Sequence, residues 1–392
     1  MIEKYYDGAI EQVAAGLGTV EKNYLLVRYS GQFSVENLND TKQLEKNEDI
    51  FVQVHEFETG EITCAYEPYL TMICDGFRRY MTGTFEEFME TCDVYYLHRP
   101  VLLGYFNQDN TGREEIILLD EVAYEQERML AALERMLCAI ADRHPVLFVL
   151  NRFQLASKST IQLTARFLKC ENCNIGLVLG VSDIQAMPEF LVPDWEMLYE
   201  TLDDGSKIYH IGNSGRKKEE TIDDEKYVDY GSEKVYRKLQ NMVEFLDFDQ
   251  AAYYLETIER KIKFDNLLVD DAARFRMWLL FVKVSILRQD IPKALEICED
   301  LEKIHLAGKE EECAYEQDYL IATAYMYQGK LKEALEMAGE TYRIAGKMSD
   351  DYRMFLSELL EAKIQMSGWY NIFFCAQDVK IKESLIQNLI RY

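Results

Sequence analysis

The sequence predicts two architectures in one chain: an α/β domain built on a parallel sheet, then an all-helical array. Three observations carry this. The stretch Pro145 to Asp183 (PVLFVLNRFQLASKSTIQLTARFLKCENCNIGLVLGVSD) holds two apolar runs of strand length, Val146–Leu150 and Ile175–Gly180, separated by an amphipathic helix, Ser159–Leu168. Buried runs alternating with a helical pattern mark a βαβ unit, whose strands are parallel. From residue 234 onward every segment carries helical periodicity. Within that half, turn-like positions recur at 249, 290, 330 and 369, spaced by 41, 40 and 39 residues. A fixed period of that size is the mark of stacked helix pairs.

In order, the chain opens with a helical pattern from Ile2 to Gly18, apolar at Ile10, Val13, Ala14 and Leu17. Tyr24 to Tyr29 is a first buried strand, followed at once by Ser30-Gly31. Val35 to Leu44 reads as a polar, helix-like or irregular piece, and Ile50 to Phe57 as a second, alternating strand closed by Thr59-Gly60. A helix from Pro68 to Tyr80 places its proline in the first turn, where a missing N–H costs nothing. Ala123 to Arg143 is a longer amphipathic helix, and Pro145 stops it. After the βαβ unit, Trp195 to Leu202 reads as helix and Lys207 to Ile211 as an edge strand. Residues 213–233 are charged and nearly free of aliphatic side chains, so they read as a linker. The expected domains are therefore 1–212 and 234–392.

Composition narrows the function classes. The chain has 392 residues, 48% of them hydrophobic, which is enough for two or three cores rather than disorder. Its formal net charge of −26 opposes direct nucleic-acid binding and docking on anionic lipid, both of which need a basic surface. No apolar run reaches the ~18–20 residues of a membrane span, and the start MIEKYYDGAIEQ lacks the layout of a signal peptide. Nine cysteines at irregular spacing do not form a disulfide framework. A cytoplasmic setting is expected.

The segment Tyr319 to Leu335 (YLIATAYMYQGKLKEAL) resembles a tetratricopeptide (TPR) repeat, in which small residues let two helices approach and Ala334 packs the second on the first. The period near 40 exceeds the 34 of the standard repeat. The N-terminal pattern resembles the STAND/AAA class of P-loop ATPases fused to TPR arrays in bacterial signalling and transcriptional regulators. The matching pieces are Ala65 to Leu70 at the entry to a helix, Val146 to Leu150 leading into Asn151-Arg152-Phe153-Gln154, and Gly176 to Asp183 ending in a sensor-like Ser182-Asp183. The resemblance implies an α/β P-loop-type parallel sheet domain followed by an all-α TPR-like solenoid. Its array would bind protein or peptide, with Tyr319, Tyr325 and Tyr327 as candidates on the concave face. It also implies a missing output domain, because the amphipathic pattern Lys380 to Tyr392 runs to the last residue.

The nucleotide machinery itself is degenerate. Phosphate binding needs a glycine-rich turn, a lysine and a hydroxyl. After the first strand stand Ser30-Gly31-Gln32-Phe33-Ser34, with one glycine and no lysine, and no Gly-Lys-Ser or Gly-Lys-Thr occurs anywhere. Where a Mg²⁺-holding carboxylate belongs stand Asn151 and Arg152, an amide and a cation. The candidate site positions are therefore Ser30, Gly31, Ser34, Asn151, Arg152, Ser182 and Asp183, with no catalytic residue, no metal and no cofactor expected. The alternative is a nucleotide-gated NTPase switch with an unconventional phosphate loop at Ser30–Asn37; a separate reading keeps ATP or ADP bound without metal or hydrolysis, with Arg152 or Arg28 replacing the lysine on phosphate. Cys170-Glu171-Asn172-Cys173 has redox or metal spacing, but no second ligand pair accompanies it. Lys158-Ser159-Thr160 reads as a helix start. The five histidines form no metal pattern.

Overall fold

The computed structural model describes residues 2–19, 23–29, 49–58, 61–108, 122–170, 172, 174–182, 188–202, 208–211, 229–265 and 267–375. Its five strands form one parallel sheet: β1 (Asn23–Tyr29), β2 (Phe51–Glu56), β3 (Val146–Asn151), β4 (Ile175–Ser182) and β5 (Ile208–Ile211), in the order β2-β3-β4-β1-β5. The expected strands are therefore present, and β5 lies at an edge against β1. Every residue of β3 is buried, as a central parallel strand covered on both faces requires. β2, at the other edge, is only partly buried, which explains its alternating sequence.

One face is covered by helix α1 (Ile2–Gly16), whose Tyr6, Ala9, Ile10 and Val13 meet Leu25, Val27 and Tyr29 of β1, Leu147 and Val149 of β3, and Val178 of β4. Helices α2 (Tyr69–Tyr80), α3 (Phe85–Thr91), α4 (Arg99–Asn107), α5 (Val122–Ala141) and α6 (Lys158–Lys169) follow around the strands, with α7 (Val192–Thr201) after β4. α2, β3 and α6 are joined at Tyr69, whose ring lies edge-on to Phe148 at 4.7 Å and Phe167 at 5.1 Å. Its hydroxyl shares a 2.6 Å hydrogen bond with that of Thr164.

The rest of the described chain is helical: α8 (Glu233–Glu244), α9 (Phe248–Phe264), α10 (Asp271–Leu287), α11 (Ile291–Leu301), α12 (Glu310–Gln328), α13 (Leu331–Met348) and α14 (Asp351–Cys375). The chain divides into two compact units, residues 1–258 and 259–392, so the first lies beyond the expected boundary at 212. The extra helix belongs there for polar reasons. Lys238 Nζ reaches Glu61 Oε1 at 2.6 Å and the carbonyl of Ile62 at 2.8 Å, and Asn241 Oδ1 accepts the N–H of Ala65 at 3.2 Å. The expected linker 213–233 lies mostly outside the described residues.

Three of the four recurring turns are chain reversals with one shared mechanism. Leu246, Gln289 and Gly329 adopt positive φ of 65°, 62° and 80°. The next residue in each case returns its N–H to a carbonyl five residues back: Asp247 to Met242 at 2.7 Å, Asp290 to Ser285 at 2.8 Å, and Lys330 to Tyr325 at 2.9 Å. That is the Schellman closure of a helix C-terminus. The fourth expected turn, at Gly368-Trp369, is instead inside α14, where the helix continues unbroken. The reversal falls earlier, at Ser349 (φ 55°), with Asp350 N–H on the Ala345 carbonyl. Between α12, α13 and α14 the core is built on Ala322, Ala334 and Ala338 with Met326, Leu360 and Ile364.

Candidate functional site at the carboxyl ends of the strands

In parallel sheets, ligands bind beyond the carboxyl ends of the strands. The register aligns Tyr29 of β1 with Ser182 of β4, and Glu56 of β2 with Asn151 of β3. Asn151, Arg152 and Ser182 are thus brought to one end of the sheet. Ser30, Gly31, Ser34 and Asp183 lie outside the described residues.

Asn151 is fully buried, and its Oδ1 accepts two hydrogen bonds, from Tyr6 Oη and Tyr29 Oη, each at 2.8 Å. Tyr6 arrives from α1 and Tyr29 from the last position of β1, their rings meeting edge-on at 6.2 Å. The approach depends on Gly180 of β4. A Cβ there would stand 1.3 Å from the Tyr6 hydroxyl and 2.6 Å from Asn151 Oδ1. Burial pushes the Tyr6 phenol well above its ordinary range, with Tyr29 and Glu56 adding to it. Burial also raises Tyr29 to about 12, although Arg152 and the Asn151 hydrogen bond pull the other way. Both phenols therefore remain protonated donors, matching an amide oxygen with two lone pairs.

Arg152 stands in the left-handed region at φ 53°. Its guanidinium pairs with Glu56 at 3.2 Å, which engages the carboxylate at the end of β2. Beyond it a short 3-10 turn, Phe153–Leu155, places Gln154 Oε1 against the N–H of Ser182 at 3.2 Å. Phe153 is buried between Phe57 at 5.9 Å and Trp195 at 5.6 Å. Among the described residues, this end of the sheet brings together an amide, two phenols and the Arg152–Glu56 ion pair. Among the described residues no group of three His, Cys, Asp or Glu could hold a metal ion.

A second buried polar group sits at the N-terminus of α6, where Lys158-Ser159-Thr160 do begin a helix, capped by Ser157. Asp247, from the turn between α8 and α9, directs Oδ2 at the Ser159 N–H (3.1 Å) and hydroxyl (2.5 Å). Lys158 gives its N–H to Gln250 at 3.1 Å and its ammonium to Asp249. A carboxylate thus occupies the positive end of the helix dipole. Burial nevertheless raises the Asp247 carboxyl to about 6 against the pull of Ser159 and Lys158.

The roles of Tyr6, Tyr29, Gly180 and Asp247 escape sequence reasoning. One signal was present: a glycine inside an apolar strand marks a close approach of another group. In the helical unit, the three candidate tyrosines of α12 differ in exposure. Tyr319 and Tyr325 pack against the alanine-lined core, and only Tyr327 is exposed. Among the described residues no helix is long and apolar enough to cross a membrane. No family model matches the chain, and no curated protein or solved structure matches it.

Proposed function

We propose that the chain is a non-catalytic regulatory protein. In this reading its P-loop-type domain serves as a structural platform without nucleotide turnover, and its TPR-like helices bind a partner protein or peptide in a cytoplasmic signalling or transcriptional regulator. The observation that carries the reading is the Asn151 amide, whose oxygen is shared by two buried phenols. A metal-assisted phosphoryl transfer needs an anionic oxygen ligand and room for a hydrated cation. Here that position holds a neutral amide, and two aromatic rings take the adjoining space.

Support for a partner-binding array lies on α14, where Tyr352, Phe355, Leu359 and Met366 are all exposed. Exposed large apolar side chains along one helix are typical of surfaces that meet other proteins. Calorimetry with ATP, ADP and GTP, with and without Mg²⁺, tests the proposal. The expected result is no Mg²⁺-dependent heat and no phosphate release. Micromolar, Mg²⁺-dependent binding accompanied by turnover overturns it.

A further inference from the structure

Helices α5 and α6 run side by side, and polar contacts fix their register at two levels. Toward one end Arg166 Nε donates to Glu134 Oε2 at 2.7 Å, and its other arm reaches Glu127. Toward the other end Asn172 Nδ2 donates to Asp142 Oδ1 at 3.0 Å. Between these two clamps, four residues beyond Glu134 and Arg166, the sulfurs of Cys138 and Cys170 touch at 3.6 Å. Both thiols are partly exposed, whereas Cys74, Cys92 and Cys298 are buried. A disulfide needs its sulfurs at about 2.0 Å, so closure asks for a side-chain rotation and a small approach of helices already held in line.

We propose that Cys138 and Cys170 are a reversible thiol-oxidation site, closed to a disulfide by hydrogen peroxide. The Cys170 thiolate, at the end of α6, attacks the peroxide. The O–O bond breaks, hydroxide leaves and takes up a proton as water, and Cys170 becomes a sulfenic acid. The Cys138 sulfur then attacks the Cys170 sulfur. The S–O bond breaks, and water leaves with the Cys138 proton. The sum is two thiols oxidised and one peroxide reduced to two waters. Burial and the adjacent Cys170 hold the Cys138 thiol above its ordinary range, which suits it to the second, resolving role. An external dithiol reverses the bond by exchange. The product ties the last turn of α5 to the residue that caps the C-terminus of α6.

The experiment treats the full chain with hydrogen peroxide under native conditions, blocks residual thiols and maps the peptides by mass spectrometry. The expected product has lost two hydrogens and carries a Cys138–Cys170 link that dithiothreitol removes. Its first melting transition rises by roughly 5–10 °C, as expected for closing a loop of this size. Cys138→Ser leaves Cys170 as a dimedone-reactive sulfenic acid, and Cys170→Ser leaves Cys138 unmodified. A Cys170–Cys173 link, or an unlinked Cys170 driven to sulfinic acid in the unsubstituted chain, overturns the proposal.

Discussion

At the end of β4 a glycine makes room for a phenol that donates to a buried amide. In the seam between α12 and α13, alanines make room for a neighbouring helix. Both regions use small residues, yet the two packings respond differently to change. At the sheet end the small residue admits a polar group with a required partner, so the contact is directional. In the helical seam Ala322, Ala334 and Ala338 share a core with Met326, Leu360 and Ile364, so the contact depends chiefly on volume. Directional contacts fail when a donor moves by an ångström, whereas apolar seams fail through overpacking.

The largest expected effect separates the two at once. Gly180→Ala puts a methyl onto the Tyr6 hydroxyl and displaces a buried ring from its amide partner. The cost is about 3 kcal/mol or more, seen as a lower denaturant midpoint for the α/β unit. A midpoint within experimental error of the parent removes the directional account. Ala334→Leu, at a fully buried alanine, should cost about 2 kcal/mol by overpacking and lower the helical unit's transition. If the α/β unit's transition falls instead, the seam does not belong to the helical unit's own stability.

Asp247 gives a pH test of the polar side. Its folded carboxyl titrates near pH 6, raised by burial from an ordinary value of 3.8. The native state therefore binds more protons than the unfolded state between about pH 4 and 6, and stability falls as pH rises through that window. The loss approaches about 2–3 kcal/mol at neutral pH. Asp247→Asn should flatten this slope in denaturant titrations at pH 4, 5, 6 and 7; an unchanged slope assigns it to other groups. The smallest effect has the opposite sign. Gly346→Ala, on an exposed stretch of α13 with nothing within 4 Å of the new methyl, should stabilise by about 0.5–1 kcal/mol. A loss of stability there means that the position is not the open helix surface it looks to be.

Sequence reasoning reached the strands because β3 and β4 are buried on both faces and read as uninterrupted apolar runs. It reached α6 through the helix's own amphipathic pattern, although the cap at Ser157 was not read. The turn at Gly368-Trp369 failed because a glycine before an aromatic resembles a repeat turn, while the reversal is made by a positive-φ residue and a five-residue return bond. Ser349 supplies both without a glycine to announce them. At the sheet end, Asn151 and Arg152 were legible as polar residues closing a buried strand, but their partners were not. Tyr6 lies 145 residues from Asn151, and Asp247 lies 88 residues from Ser159. No periodicity reports a contact over that separation. The strand order, which places β4 between β1 and β3, is equally silent in the sequence.

The shared oxygen of Asn151 also sets how this region can change over generations. Replacing the amide by a carboxylate alone buries a charge under two rings. Removing Tyr6 or Tyr29 alone leaves a cavity and a buried acceptor short of a donor. Filling Gly180 first collides with the Tyr6 hydroxyl and with the Asn151 amide oxygen. A metal-ready pocket thus lies several substitutions away, with each first step downhill in stability. Drift at this end of the sheet is confined to a narrow neighbourhood of sequences, held there by four residues that constrain one another.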